Sequence, residues 1–280
     1  MTRFFVFTLA YLCTYTSIAQ HAEELLNLYY QGEYSSVTNI LVDDELLEPE
    51  ALFIIANAFH KLEDYESALM YYEMCEGSAS DLDDYFLNRA ICEISVGDLV
   101  SAERHLFLHE DFVGDHPMVH YYFSVIDFEV MEYKSSLATL EMAIELNPEY
   151  YEAWYLKGAI YIETEQYEKG AACFNQVLEI NPTHSSSELN LAICQIYLKE
   201  YNEAFNMLDY IINQNSDLKA EALFYRGEAN FYMHNKAKAC EDWQKASFLG
   251  DTFADKNVKL ICEKGKDSKH KPRKITRMAL

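Results

Sequence analysis

The stretch AWYLKGAIYIETEQYEKGAACFNQVLEINP, residues 153–182, places its apolar and small residues three and four apart rather than at alternate positions. Trp154, Gly158 and Tyr161 predict one amphipathic helix, and Tyr167, Gly170, Phe174 and Val177 predict a second. The polar segment Thr164–Gln166 between them reads as a turn. Pro182 closes the pair, because its ring cannot continue a helix. Asn181-Pro182 repeats Asn147-Pro148 at a distance of 34 residues, so each Asn-Pro marks the border of a repeating unit.

Other residues keep the same step. Tyr133, Tyr167 and Tyr201 are 34 apart, and the series extends backwards through Leu99 to Tyr65. Two columns of small residues follow it: Ala56, Ala90, Ser124, Gly158, Ala192 and, twelve positions later, Ala68, Ala102, Ser136, Gly170, Ala204. Small side chains on both helices of a pair let the two axes approach closely. The units read as roughly 18–48, 49–82, 83–116, 117–150, 151–184, 185–218 and 220–253. The link from the first to the second is about three residues short. The last is offset by one residue, with Gly227, Ala239, Trp243 and Ala246 in register.

This pattern resembles the tetratricopeptide repeat family, whose consensus Trp, Gly, Tyr, Phe and Pro are met by Trp154, Gly158, Tyr161, Phe174 and Pro182. Lys157 stands where Leu is usual, and Gly170 and Val177 where Ala is usual. The resemblance implies an all-α fold, a right-handed α-solenoid of about seven helix-turn-helix repeats over residues 20–263. An amphipathic segment from Phe253 to Cys262 would cap it, covering the last apolar face.

The termini differ from the body. Arg3, the apolar run Phe4–Leu12 and the small residues Ser17 and Ala19 predict a signal peptide over 1–19, cleaved before Gln20. Export, to a periplasmic or envelope location or outside the cell, is the expectation. No other segment is apolar for long enough to suggest a transmembrane span. Residues 20–263 hold 14 Lys and Arg against 45 Asp and Glu, a body that repels nucleic acid. Residues 264–280 hold seven Lys and Arg against Asp267 and read as a disordered basic tail. That tail has three open roles: folding back on the acidic body, touching an anionic surface, or simple solvation.

Little points to chemistry. No GxSxG, HExxH or glycine-rich phosphate loop occurs, so neither catalytic residues nor a cofactor are expected. Asp43-Asp44 and Asp83-Asp84 lie near unit borders and read as helix caps. His105, His109, His116 and His120 cluster in sequence, and two histidines four apart on a helix can share a metal. His109 and His120 fall in packing columns, however, so no metal site is expected. Of the cysteines after residue 19, Cys240 and Cys262 are the best candidates for a disulfide, since the last repeat and the capping helix should pack together. The alternative is six small buried hydrophobes.

The family resemblance implies a peptide-binding groove lined by the first helix of each repeat. One column of that face reads Phe53, Leu87, Tyr121, Tyr155, Leu189, Phe224, and another Asn57, Ile91, Val125, Ala159, Ile193, Glu228. Phe53, Asn57, Leu87, Tyr121, Val125, Tyr155, Leu189 and Phe224 are the candidate contacts, with Tyr121, Tyr155 and Phe224 as aromatic anchors. Asn57 and Lys61 meet the family's carboxylate clamp only in part, and Glu163 and Glu228 oppose it, so an apolar or basic partner segment is expected. The function read from the sequence is a non-catalytic protein-binding scaffold. A self-assembling envelope component is the alternative.

Overall fold

The structure, a computed structural model, describes residues 22–39, 48–77, 84–214, 217–267 and 270. The signal-peptide segment 1–19, Asp43, Asp44, Asp83 and residues 271–280 lie outside the described residues. Every regular element among the described residues is helical. The chain divides into two compact units, one ending at Val130 and the other beginning at Met131.

In the first unit, residues 22–30 form α1. It is followed by α2 (Tyr34–Thr38), α3 (Pro49–Lys61), α4 (Tyr65–Met74), α5 (Tyr85–Val96), α6 (Leu99–Val113) and α7 (Pro117–Glu129). The second unit contains α8 (Tyr133–Leu146), α9 (Tyr151–Glu163), α10 (Tyr167–Ile180), α11 (Ser185–Tyr197), α12 (Tyr201–Asn213), α13 (Lys219–Tyr232) and α14 (Lys236–Phe248). A short α15 (Thr252–Asn257) then widens into a π-helical turn, Val258–Cys262.

The helix pairs are set by the small columns. Ala56, Ala90, Ser124, Gly158 and Ala192, and their partners Ala68, Ala102, Ser136, Gly170 and Ala204, are all buried. A Cβ on Gly158 would come within 2.8 Å of the Phe174 ring, and one on Gly227 within 2.6 Å of Trp243. At both places the second helix brings an aromatic ring onto the backbone of the first.

The turns repeat as strictly as the helices. The residue before each second-helix cap has a positive φ: Gly32, Glu63, Gly97, Met131, Glu165, Lys199 and His234. Next in the chain, Glu33, Asp64, Asp98, Gln166, Glu200 and Asn235 each donate a backbone N–H to the carbonyl five residues back, as in a Schellman helix end. Asp64 and Asp98 also accept the backbone N–H of Ser67 and Ser101, and Asp251 caps α15 by accepting that of Ala254. Asp84 sits at the cap position of α5 but makes no side-chain cap bond. Its expected role therefore passes to the acids within the turns.

Candidate functional site

The eight residues expected to line a groove fall into two groups of four. Phe53, Asn57, Tyr121 and Tyr155 keep part of their surface exposed, whereas Leu87, Val125, Leu189 and Phe224 are buried. In the first unit, the Phe53 ring lies 6.0 Å from Tyr72 and 6.2 Å from Tyr85. Asn57 Oδ1 accepts hydrogen bonds from the Tyr72 hydroxyl at 2.5 Å and from Asn88 Nδ2 at 3.1 Å. Tyr121 packs edge-on against Tyr122 at 5.1 Å.

In the second unit, the Tyr155 ring meets Phe174 at 5.8 Å and His184 at 5.1 Å. Its hydroxyl accepts a hydrogen bond from Asn190 Nδ2 at 3.1 Å, on the next repeat. Burial raises its phenol pKa, against the opposing hydrogen bonds of Asn190 and Ser186. Tyr155 thus joins neighbouring repeats as well as facing outward.

Phe224 departs from its expected role as an anchor. It is 1% exposed, lies against Tyr225 at 5.1 Å and is 6.4 Å from Phe253 of α15. The Trp243 indole N–H donates to its carbonyl at 3.3 Å. Among the described residues, α15 rather than another helix pair follows this repeat and packs against it.

Cys240 and Cys262 form a disulfide with Cα atoms 5.8 Å apart. The other described cysteines, Cys75, Cys92, Cys173 and Cys194, are buried thiols. Burial pushes them up to about 11, 12, 11 and 12. They fill space and are poor nucleophiles.

The four histidines of the central cluster do not converge. His105 Nδ1 lies 2.7 Å from Glu93, in a buried network that continues to Arg89, and His116 accepts the backbone N–H of Met118. His109 is buried, and His120 contacts Asp115. The group the structure does bring together is Glu110, Asp115 and His120, with one ligand atom of each inside 4.8 Å. Those three could hold a metal ion. Asp115 is exposed, and its carboxylate already engages His120.

Two further polar centres were not read from the sequence. Arg226 donates to both oxygens of the buried Asp242, at 3.0 and 2.5 Å, and to Asp209 at 2.6 Å. The second centre surrounds Glu228. Its carboxylate accepts from Asn257 Nδ2 at 3.0 Å and lies 2.9 Å from His270 Nε2. Burial raises the Glu228 pKa, and the hydrogen bonds of His270, Asn257 and Tyr232 oppose that rise. The start of the basic tail is therefore not free solvated chain: His270 is packed on this unit, and Asp267 pairs with Lys236 at 2.5 Å. The physical reason is a carboxylate sunk among aromatic rings, which needs a donor. Glu228 was visible as an acid in an apolar column, but nothing local pointed to His270 as its partner.

No helix among the described residues is long and apolar enough to cross a membrane. The tetratricopeptide repeat family model matches residues 49–81 and 151–184. The chain is 30% identical over 128 residues to the anaphase-promoting complex subunit 3 of Schizosaccharomyces pombe, covering 44% of this chain and 18% of that protein. It is 29% identical over 101 residues to an ancillary SecYEG translocon subunit of Buchnera aphidicola, covering 35% of this chain and 51% of that protein. The chain thus spans only a part of each curated relative. Among solved structures, a tetratricopeptide repeat protein from Parabacteroides merdae matches with a TM-score of 0.62 at 14% identity, covering 89% of this chain and 100% of that one. PilF of Pseudomonas aeruginosa matches with a TM-score of 0.64 at 14% identity, covering 75% and 96%. Both show the fold alone. With two repeats matched by sequence and helix pairs in the same register on either side of them, the chain belongs to the tetratricopeptide repeat family, whose repeats form scaffolds for protein–protein interaction.

Proposed function

We propose that this chain is a non-catalytic scaffold that holds a partner's apolar or basic segment on the first helices of its repeats. The supporting observation is the partial exposure of Asn57 and, one helical turn before it in the repeat, of Phe53, Tyr121 and Tyr155, which share one first-helix column. Such half-buried aromatics are rigid and lose little entropy on binding, which suits them as anchors. Leu87, Val125 and Leu189 are buried and belong to the core rather than to the contact surface. The acidic body favours a partner without excess negative charge. An exported location, expected from the first nineteen residues, is part of this reading, and the likeness to a translocon subunit is in keeping with it.

Photo-crosslinking tests the surface without emptying the core. A benzoyl-phenylalanine at Tyr121 or Tyr155 should give adducts with the same partner in a cell-envelope extract. The probe at Val100, which is 80% exposed on a second helix, should not. Equal labelling from Val100 would move the partner off the first helices, and adducts from none of the three would remove the scaffold reading.

Self-assembly is the second reading. Phe248 is 91% exposed and borders a cleft lined in part by Ile212, Leu223 and Leu249. An exposed ring beside an apolar cleft can join two copies. A mass that doubles with concentration for the chain but not for Phe248→Ser would favour it.

A further inference from the structure

We propose that the shelf formed by Glu228, Phe231, Tyr232, Trp243 and Lys236 is a recognition site for a peptide turn bearing a carboxylate and, three residues later, an imidazole, and that the chain's own Asp267–His270 turn occupies it. Use of the site by another protein rests on the scaffold reading; the site itself does not.

The geometry is that of a bound ligand. The His270 ring lies 4.5 Å from Phe231 and 5.8 Å from Tyr232, and it stacks on Trp243 at 5.9 Å. Its Nε2 reaches Glu228 Oε1 at 2.9 Å, and the His270 and Glu228 side chains are 6% and 3% exposed. Three residues earlier, Asp267 meets Lys236 at 2.5 Å. The His270 backbone N–H donates to the Asp267 carbonyl at 3.0 Å, which ties the two contact residues to each other. Two polar contacts of different kind, a carboxylate on Lys236 and an imidazole on Glu228, with an aromatic slot for the imidazole, make a selective arrangement.

Closure of the solenoid does not require it. The apolar end is already covered by Ala254, Phe253 and Ile261, and the Cys240–Cys262 bond holds that cover in place. An apolar residue at 228 would finish such an end with less desolvation. Glu228 instead stays buried and depends on donors for compensation. Vacated by His270, it keeps Asn257 and Tyr232 but loses the one donor that is able to carry charge. The Cys262 anchor lies eight residues before His270, so the tethered turn competes at a high effective concentration and gates the site.

A fluorescent synthetic peptide of residues 264–275 serves as the probe, read by anisotropy against the full chain. His270→Ala protein should bind it about tenfold or more tighter than the wild type, because the tethered competitor is gone. Adding Glu228→Gln to His270→Ala should abolish the gain, and Lys236→Ala in its place should reduce it. Equal binding by wild type and His270→Ala would overturn the proposal. So would equal binding of a probe carrying alanine at His270, since only general charge attraction would remain. Independently of any variant, the His270 ring protons in the full chain should be displaced by ring currents from Phe231 and Trp243; a random-coil position would overturn the assignment. A failure to crosslink any partner at Tyr121 or Tyr155 would leave these results untouched.

Discussion

The repeat made by α9 and α10 and the repeat made by α13 and α14 solve the same problem by different means. Both place a glycine under an aromatic ring: Gly158 under Phe174 and Gly227 under Trp243. The α9–α10 repeat is covered by another repeat, whose Cys194 approaches Gly170 and whose Asn190 reaches Tyr155. The α13–α14 repeat is covered by α15, a disulfide and the buried His270–Glu228 contact. A repeated cover needs only small residues in register. A single, irregular cover needs bonds that hold it in one place. The comparison predicts that the terminal repeat should be more sensitive to changes outside its own two helices.

The largest break would come from Trp243→Ala. The ring is fully buried, and its loss should cost about 3–5 kcal/mol. Phe174→Ala should cost about the same by the same count of lost burial. The two should differ in reach. Trp243→Ala also removes one wall of the His270 shelf, so hydrogen exchange should rise in residues 252–267 as well as in α13 and α14. Phe174→Ala should loosen α9 and α10 and leave that end protected. The same spread of exchange for both variants would mean that the terminal cover is not a separate device.

Removing the disulfide sharpens the same point. Cys240 and Cys262 enclose a loop of 22 residues, and Cys240→Ser with Cys262→Ser should cost about 3 kcal/mol by loop entropy. Thermal melting of the wild type with and without reductant should show a shift, and the serine variant should show none. Exchange protection of α9 and α10 should not change.

The third prediction asks whether the glycine and the ring are one unit. Gly158→Ala places a Cβ 2.8 Å from the Phe174 ring and should cost about 1–3 kcal/mol through overpacking. The next repeat carries Ala192 and Leu208 at the same two positions, both fully buried. Adding Phe174→Leu to Gly158→Ala recreates that pair, so the double variant should be more stable than the sum of the single changes in urea unfolding. Strict additivity would show that the close approach is absorbed elsewhere.

Much of this was legible in the chain. The small columns and the Asn-Pro borders gave seven units, and the breaks in period at the first and last units recur in the turns, where the residues of positive φ are 31 apart between Gly32 and Glu63 and 35 apart between Lys199 and His234. The groove was less legible, because a column position does not report what lies above it. Phe224 reads like Phe53 in sequence, yet it is 1% exposed and packs in the core formed with Tyr225 and Phe253. The buried pairs were least legible. Glu228 and His270 are 42 residues apart, and Arg226 and Asp242 are 16 apart, on different elements. No periodicity joins them, since each satisfies a single desolvated charge rather than a repeated packing need.

The turns allow the smallest and cleanest test. Glu165 has φ near +58°, Lys199 near +67° and His234 near +60°, where an L side chain meets steric strain that glycine avoids. Glycine also gives the unfolded chain more freedom, which offsets part of that relief. Glu165→Gly and Lys199→Gly should therefore each stabilise by about 0.5–1 kcal/mol, read as a higher urea midpoint at unchanged slope. The reverse change, Gly97→Ala at φ +85°, should destabilise by a similar amount of about 1 kcal/mol. The terminal turn should respond equally. His234→Gly acts on a local backbone bond, Asn235 to the Asn230 carbonyl at 2.8 Å, and that bond matches the one from Gln166 to Tyr161 at 2.7 Å. Equal gains at 165, 199 and 234 would show that the turn is a self-contained part of every repeat, whatever covers it. A smaller gain at 234 would mean that the α15 and His270 cover already constrains α13 and α14 through their turn.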